Sequence, residues 1–272
     1  MTDRVLSDLE DTGERMMPQT ASAANFWEHV YRYRWAARYA SGQRVLDVAC
    51  GEGYGTAALQ RAGAASVIGV DISPRACEHA SRTYGIEALC APAHSIPIPD
   101  ASIDLIVSFE TIEHLPSPPG FVLECFRLLA PGGRFIVSTP NRPVYRETFS
   151  NPHHCSEMDQ PEFIHLLRDR FRTVRVFGQH PMSTAWWSTD CLAAEEGPWL
   201  RVRGVRRLRR RLQRILCPHL GAELNGEARE APVSAVAGRD SGWAFLVNPY
   251  AIRRAHVLSS RMPMYLVALA ER

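Results

Sequence analysis

The chain contains no lysine. All 31 of its basic residues are arginines, and against 29 acidic residues they leave a net charge of only +2 over 272 residues. Without lysine there can be no Schiff-base chemistry, no phosphate-binding P-loop lysine and no tyrosine–lysine pair of the short-chain dehydrogenase type. Any catalytic acid, base or nucleophile must therefore come from another residue type.

Paired cysteines and long apolar runs are also lacking. The seven cysteines are scattered and never spaced as C-x-x-C, which is typical of reduced thiols and not of a disulfide framework or a zinc knuckle. No apolar run approaches the roughly 20 residues of a membrane span. The first residues are acidic where a signal peptide would be basic and then apolar. We therefore expect a soluble, cytoplasmic protein.

What is present is a regular alternation of strand and helix patterns. Near-continuous apolar runs such as Ile103–Val107 are typical of parallel strands covered on both faces. Ser73-Pro74 and Ser117-Pro118 mark two helix starts. The pattern predicts a doubly wound, Rossmann-like α/β fold. Strands are predicted at 43–48, 66–70, 86–90, 103–109, 134–139, 172–178 and 264–269, and helices at 23–40, 55–62, 74–82, 118–129 and 159–168.

Four regions follow from this pattern. Residues 1–40 are predicted as an N-terminal arm and helix, and 41–178 as the core that binds a cofactor. Residues 179–261 are predicted as an insertion that caps the substrate pocket, forms an oligomer interface or simply packs on the core. Residues 262–272 are predicted to supply the final core strand.

The most informative segment is the glycine-rich loop after the first strand. Residues 45–55 read V-L-D-V-A-C-G-E-G-Y-G, and Asp71 ends the next strand twenty residues after Gly51. Small residues let a backbone approach a ligand, the following helix start favours anions, and an acid at this place is a partner for a ribose diol. The glycine spacing differs from the G-x-G-x-x-G of dinucleotide-binding proteins. The loop therefore favours an adenosine-type cofactor, with a nicotinamide dehydrogenase and a ligand-free turn as the alternatives.

This segment resembles the first motif of class I S-adenosylmethionine-dependent methyltransferases, V-L-D-x-x-C-G-x-G. The resemblance implies a seven-stranded sheet that ends in an antiparallel hairpin, interrupted here by the insertion, and S-adenosyl-L-methionine as the cofactor. Pro92 stands where the family usually has an acid against the adenine, so that contact is expected from Ala93 or His94. The cofactor site is predicted to comprise Arg15, Tyr33, Asp47, Ala49, Gly51, Gly53, Asp71, Ile72, Ala93, His94, Phe109 and Glu110.

Further motifs resemble those of bacterial methyltransferases that are encoded with glycosyltransferases. They are G-E-R-M-M-P at 13–18, E-H-L at 113–115, S-T-P-N-R at 138–142 and N-P-H-H-C-S-E at 151–157, so that the resemblance spans about residues 12–178. It implies methylation of a sugar or polysaccharide. Arg15 is a candidate clamp for the carboxylate of the cofactor, or else a partner of neighbouring acids.

The catalytic candidates are His114, His154 and Glu157. A histidine can deprotonate a hydroxyl while a carboxylate orients its ring, although His114 is equally compatible with a packing role. The acids, histidines and cysteine of residues 153–159 match no zinc template, and no metal is predicted.

The insertion contains R-V-R-G-V-R-R-L-R-R-R-L-Q-R-I-L at 201–216, a basic amphipathic helix pattern with eight arginines. Such a helix suits an anionic membrane surface, a phosphorylated substrate, nucleic acid or a solvated face. Nothing else indicates nucleic-acid binding, and no nucleic-acid partner is predicted. A homodimer is compatible with the sequence.

We therefore expect an S-adenosylmethionine-dependent methyltransferase that O-methylates a hydroxyl of a sugar or a glycosylated metabolite. The alternatives are C- or N-methylation of a specialised metabolite, and a non-catalytic subunit that binds the cofactor.

Overall fold

The computed structural model describes Met16 and residues 23–148, 151–179, 253–254 and 263–272. Arg15, the tryptophans at 186, 187 and 199, and the arginine-rich segment 201–216 lie outside the described residues. The predicted role of 179–261 as an insertion therefore stays a prediction.

The described chain forms one mixed sheet with helices on both faces. In chain order the elements are α1 (Ala23–Ala37), β1 (Arg44–Val48), α2 (Tyr54–Arg61), β2 (Ser66–Asp71), α3 (Pro74–Tyr84), β3 (Glu87–Cys90), β4 (Ile103–Ser108), a short 3-10 helix (Ile112–His114), α4 (Pro118–Leu128), β5 (Leu129–Pro140), α5 (Arg142–Thr148), α6 (Gln160–Arg168), β6 (Thr173–Gln179), β7 (Arg253–Arg254) and β8 (Tyr265–Glu271). The predicted doubly wound α/β fold is confirmed.

The strands are ordered β3-β2-β1-β4-β5-β8-β6-β7 across the sheet. The first five are parallel to their neighbours, so their carboxyl ends meet at one edge. β8 is antiparallel to both β5 and β6, which confirms the predicted pairing of the last strand with the strand before the proposed insertion. The order reverses between β1 and β4, where sheets of this kind bind their ligands.

Two apolar clusters sandwich the sheet. One includes Tyr33, Trp35 and Leu59, and the other includes Phe121 and Phe163 on the opposite face. Burial on both faces explains why the strands have near-continuous apolar sequences.

The ends of several helices follow from local sequence. Ser73 and Ser117 accept hydrogen bonds from the backbone amides of Ala76 and Gly120, as the Ser-Pro pairs predict. Asp159 and Glu162 form a capping box at the start of α6.

Four features differ from the sequence predictions, one of them the two-residue strand β7, which makes the described sheet eight-stranded where seven strands were predicted. The prediction started β5 at 134 because Pro131–Gly133 has turn composition, but pairing with β4 begins at Leu129 and continues through an irregularity. Helix α5 and the 3-10 helix were not predicted. Both are about two turns or shorter, too short for a clear hydrophobic period.

Among the described residues, no helix has the length and apolar character needed to cross a membrane.

Candidate active site

The glycine-rich loop follows β1 directly and leads into α2. Ala49 has a φ of 61° and Gly53, the residue that precedes α2, has a φ of 89°. A Cβ on Gly53 would lie 2.6 Å from the Cβ of Ala80, and a Cβ on Gly55 would overlap the ring of Tyr33. The glycines at 53 and 55 are therefore required by protein neighbours as well as by any close approach of a ligand.

Asp47 is fully buried beneath this loop. Its carboxylate accepts hydrogen bonds from the Thr56 hydroxyl at 2.6 Å and from the Tyr33 hydroxyl at 3.2 Å. Burial raises the pKa of Asp47 to about 7. Asp47 was predicted as part of the cofactor site, and in the structure its hydrogen bonds join α1 and α2 to β1. A direct contact with the cofactor stays a prediction.

Asp71 ends β2 beside the same loop. Its two carboxylate oxygens accept hydrogen bonds from the Gly51 amide at 3.0 Å and from the Ser73 amide at 2.9 Å. These bonds hold the glycine loop against the neighbouring strand end. A carboxylate has about four lone-pair positions, so Asp71 retains acceptor capacity for a ribose diol.

Ile72, Ala93 and His94, which were predicted for the cofactor site, follow the carboxyl ends of β2 and β3. Ile72 exposes 74% of its surface although it is a large aliphatic residue. Ala91 donates its amide to the Asp71 carbonyl, and residues 92–95 then form a turn in which His94 is exposed. An exposed isoleucine beside a polar loop is typical of a ligand-binding cleft.

Phe109 and Glu110 occupy the carboxyl end of β4, next to β1 in the sheet. The ring of Phe109 contacts the ring of Tyr33 edge to face at 5.0 Å. Glu110 has a φ of 51° and accepts a hydrogen bond from the Ser138 hydroxyl at 2.7 Å. A non-glycine residue in the left-handed region at a strand end is a feature that concentrates at functional sites.

The catalytic candidates lie together at the same edge. The rings of His114 and His154 meet edge to face with their centroids 4.8 Å apart. His154 Nδ1 lies 2.9 Å from Glu157 Oε1, and Tyr145 stacks on the other side of the His154 ring at 5.2 Å. We refer to Glu113, His114, Tyr145, His154 and Glu157 as the rim cluster.

Backbone hydrogen bonds fix the two segments that carry the rim cluster. The Glu113 carbonyl accepts from the amides of both Cys155 and Ser156, at 2.8 and 2.9 Å. The Ser156 hydroxyl donates to the Leu115 carbonyl, and His114 Nδ1 lies 3.2 Å from the His153 carbonyl. The E-H-L and N-P-H-H-C-S-E segments are thus one structural unit, although some forty residues separate them.

A second polar group, which the sequence analysis missed, lies beside the rim. Arg32 is fully buried, with its Nε donating to Gln179 Oε1 at 2.7 Å and its Nη1 lying 3.6 Å from Glu110 Oε1. Its guanidinium covers the Tyr265 ring at 4.4 Å. Burial raises the pKa of the neighbouring Glu28 to about 7. No local pattern marks Arg32 for burial, because its partners Gln179 and Tyr265 lie far along the chain.

The glycine loop, Asp71 and the end of β4 lie at one edge of the sheet, and comparison with known proteins adds to this geometry. Residues 46–137 match the model of a family described as "Methyltransferase domain". The matched range runs from β1 into β5 and includes the glycine-rich loop, Asp71 and the end of β4. The cofactor implied is S-adenosyl-L-methionine.

Two curated relatives extend the similarity. A probable S-adenosylmethionine-dependent methyltransferase of Mycolicibacterium smegmatis is 41% identical over 167 residues, which cover 59% of this chain and 64% of the relative. A ubiquinone biosynthesis O-methyltransferase of Xylella fastidiosa is 42% identical over 111 residues, covering 38% and 44%. The matches thus span less than two thirds of the length of either relative.

A solved structure gives the same fold. It is a methyltransferase of Thermotoga maritima described as a possible histamine N-methyltransferase, with a TM-score of 0.56, 15% identity and coverage of 92% of this chain and 90% of that one. At this identity the likeness shows the fold alone, a Rossmann-like methyltransferase fold.

Proposed function

We propose that the chain is an S-adenosylmethionine-dependent methyltransferase that O-methylates a hydroxyl of a sugar or a glycosylated metabolite. The single observation that carries the proposal is the rim cluster: two contacting histidines, one of them oriented by a buried carboxylate, at the same sheet edge as the cofactor cleft.

The cofactor half of the proposal is supported by the match over residues 46–137 and by the position of Asp71 at the cleft. Methyl transfer from a sulfonium is an in-line displacement, and most of its acceleration comes from holding the nucleophile and the methyl carbon collinear. The backbone bonds to the Glu113 carbonyl support this requirement because they hold the rim cluster in one geometry.

The assignment of a hydroxyl acceptor rests on the chemistry of methyl transfer. A sugar hydroxyl is a weak nucleophile and gains about 10²–10⁴-fold in rate from a group that assists loss of its proton. His114 and His154 are the groups in the rim cluster suited to this activation, and Glu157 orients His154. The ubiquinone O-methyltransferase similarity is consistent with an oxygen acceptor. The sugar follows from the resemblance of the 13–18 and 151–157 motifs.

The test is to incubate the protein with isotope-labelled cofactor and a panel of free sugars and glycosides, and to detect the methylated product by mass spectrometry. In His154→Ala we expect turnover to fall by at least about 100-fold with the affinity for S-adenosylhomocysteine unchanged. His165→Ala, which removes an exposed histidine on α6, is the matched control and should behave as wild type.

Other products would identify the alternatives. A methylated carbon or nitrogen would favour the C- or N-methyltransferase reading. Cofactor binding with no turnover on any acceptor would favour a non-catalytic subunit. If His154→Ala turns over at the wild-type rate, the assignment of the rim cluster as the acceptor site is wrong.

The acceptor also sets the expected partners. We propose a small-molecule or glycan acceptor and no nucleic-acid partner, with contact between the 201–216 segment and an anionic membrane surface as a further possibility for a lipid-linked acceptor.

A further inference from the structure

Three potential metal ligands of the rim cluster come within reach of one another. A carboxylate oxygen of Glu113 and one ring nitrogen each of His114 and His154 all lie within 4.8 Å of one another. Ligands at about 2.1 Å from a shared ion are at most about 4.2 Å apart, so small side-chain rotations would bring the three onto one cation. Two histidines and one carboxylate on one side of an ion form a recurrent binding set for first-row divalent metals.

Glu113 supplies an independent indication. Its side chain is fully buried, and neither carboxylate oxygen has a hydrogen-bond partner among the described residues. A buried carboxylate without a hydrogen-bond partner is costly. A cation bound at this carboxylate would neutralise its charge and occupy its lone pairs.

The surroundings are arranged as they are around metal-binding histidines. The Nδ1 atom of each ring lies against a protein oxygen, the Glu157 carboxylate for His154 and the His153 carbonyl for His114. Such contacts fix the orientation of a ring and direct its Nε2 atom to the metal. Tyr145 stacks on His154 and limits its rotation.

The charges nearby also favour a cation. The carboxyl groups of Glu110 and Glu113 both interact with the Arg32 guanidinium, and Glu110 Oε1 lies 3.6 Å from Arg32 Nη1. With Glu28 counted, three carboxyl groups surround a single guanidinium in this region. A divalent cation would relieve the repulsion among these acids.

We propose that Glu113, His114 and His154 form a binding site for a divalent cation, with Glu157 as a positioning residue for His154. The proposal rests on the proposed function, because it names how the acceptor hydroxyl is activated there. It replaces the hypothesis that His114 or His154 is a general base, and it departs from the sequence expectation of no metal.

The cation would act as a Lewis acid on the acceptor. A hydroxyl bound to it loses its proton to solvent more readily, because the metal lowers the pKa of the hydroxyl. The oxygen then forms a bond to the methyl carbon as the carbon–sulfur bond breaks, and that electron pair stays on the sulfur of S-adenosylhomocysteine. The reaction releases one proton for each methyl group transferred.

The binding test uses the full chain, treated with EDTA and dialysed, and Mn²⁺ as the probe. Mn²⁺ avoids the exposed thiol of Cys155, since manganese prefers oxygen and nitrogen ligands. The signal of free Mn²⁺ in electron paramagnetic resonance should show one bound ion per chain. Affinity should fall at least about 100-fold in Glu113→Gln and in His154→Ala, and by about 10- to 100-fold in Glu157→Gln.

Controls separate the site from general binding and from misfolding. His165→Ala should bind Mn²⁺ as wild type does. Each variant is first tested for binding of S-adenosylhomocysteine, and any one that fails this test is set aside in favour of the other two. The visible absorption of bound Co²⁺ should report the same ligand losses.

Two results would overturn the proposal: no stoichiometric Mn²⁺ or Co²⁺ binding by the wild-type chain, or equal binding by wild type and by folded Glu113→Gln and His154→Ala. Full methyl transfer after EDTA treatment would overturn the assigned activation and restore the base hypothesis. Methyl transfer itself is measured separately by the labelled-product assay, so failure of the metal site and failure of the proposed function are distinguishable.

Discussion

Asp71 has two roles at the end of β2. Its carboxylate holds the Gly51 and Ser73 amides, and it lies where a ribose diol is expected. The first role means that its removal changes the loop as well as the contact with the ligand. Two substitutions of different severity, Asp71→Ala and Asp71→Asn, separate these two roles.

We predict that Asp71→Ala lowers the affinity for S-adenosylhomocysteine by about ten- to a hundredfold, since it removes charge-assisted hydrogen bonds worth about 1.5–3 kcal/mol. Asp71→Asn retains one acceptor oxygen and should lose less. Isothermal titration calorimetry measures both. Unchanged affinity in Asp71→Ala would falsify the assigned ribose site.

The protonation of Asp47 affects the free energy of unfolding of the protein. An aspartate in an unfolded chain ionises near pH 4, whereas the folded protein holds the Asp47 proton up to about 7. Between those values the folded state binds a proton that the unfolded state has released. The free energy of unfolding therefore falls as the pH rises from about 4 to about 7.

We predict that Asp47→Asn weakens this pH dependence. Asparagine cannot ionise, and its carbonyl oxygen can still accept from Tyr33 and Thr56. Thermal melting of both proteins at about pH 5 and about pH 8 checks it, with the wild type losing more stability than the variant over that interval. Parallel losses in the two proteins would show that other groups control the slope.

At the scale of elements, α1 and α2 meet at Tyr33. Its ring lies over Gly55 and against Phe109, and its hydroxyl reaches Asp47 in β1. The contact between these two helices therefore covers the glycine loop.

Gly55→Ala should displace the Tyr33 ring, destabilise the protein by about 1–3 kcal/mol and weaken cofactor binding. Chemical denaturation and calorimetry measure the two effects. The double variant Gly55→Ala, Tyr33→Ala should lose less than the sum of the two single variants, because the clash is then absent. Additive losses would mean that Tyr33 and Gly55 do not interact as described.

The helices and strands also show which features of the fold can be predicted from the sequence. Ser73 and Ser117 mark helix starts through local hydrogen bonds, and the apolar runs of β1 and β4 identify buried strands, so these features needed no knowledge of distant residues. The Glu113 carbonyl accepts hydrogen bonds from two amides that lie some forty residues away in the chain. No local sequence pattern predicts such a contact. The E-H-L and 151–157 motifs therefore indicated the rim residues but not the buried, unpartnered state of Glu113.

The burial of Arg32 is a second feature that local sequence patterns do not predict. Its position in α1 was predicted, but its burial depends on Gln179 and Tyr265, which reach it from β6 and β8. A polar cluster assembled from α1, β6 and β8 is visible only after the positions of these elements are known. The capping box of α6 is different, because D-x-x-E at 159–162 is a local signal that was available in the sequence.

At the scale of the whole molecule, β8 joins the parallel strands to β6. Leu269 and its neighbours in β8 are completely buried between helices on the two faces. Any change there affects both sides of the sheet.

Leu269→Ala should cost about 2–5 kcal/mol of stability through lost burial and a residual cavity. Leu123→Ala removes the same atoms from a side chain of α4 that is 49% exposed, and should cost much less. Thermal or chemical unfolding of the two variants makes the comparison. Similar losses at both positions would show that β8 is not part of the central core.

The position of β8 also sets the order in which the protein can fold during synthesis. Strands β1 to β5 can pair as they leave the ribosome, because each finds its partner among residues already made. β6 can join these strands only after residues 265–271 are made, since β8 lies between β6 and β5. Throughout that delay the edge of β5 has no partner from within the described sheet, which exposes a template for pairing with other chains. Translation of the intervening residues is thus the interval in which the nascent protein is most open to aggregation and to chaperone capture.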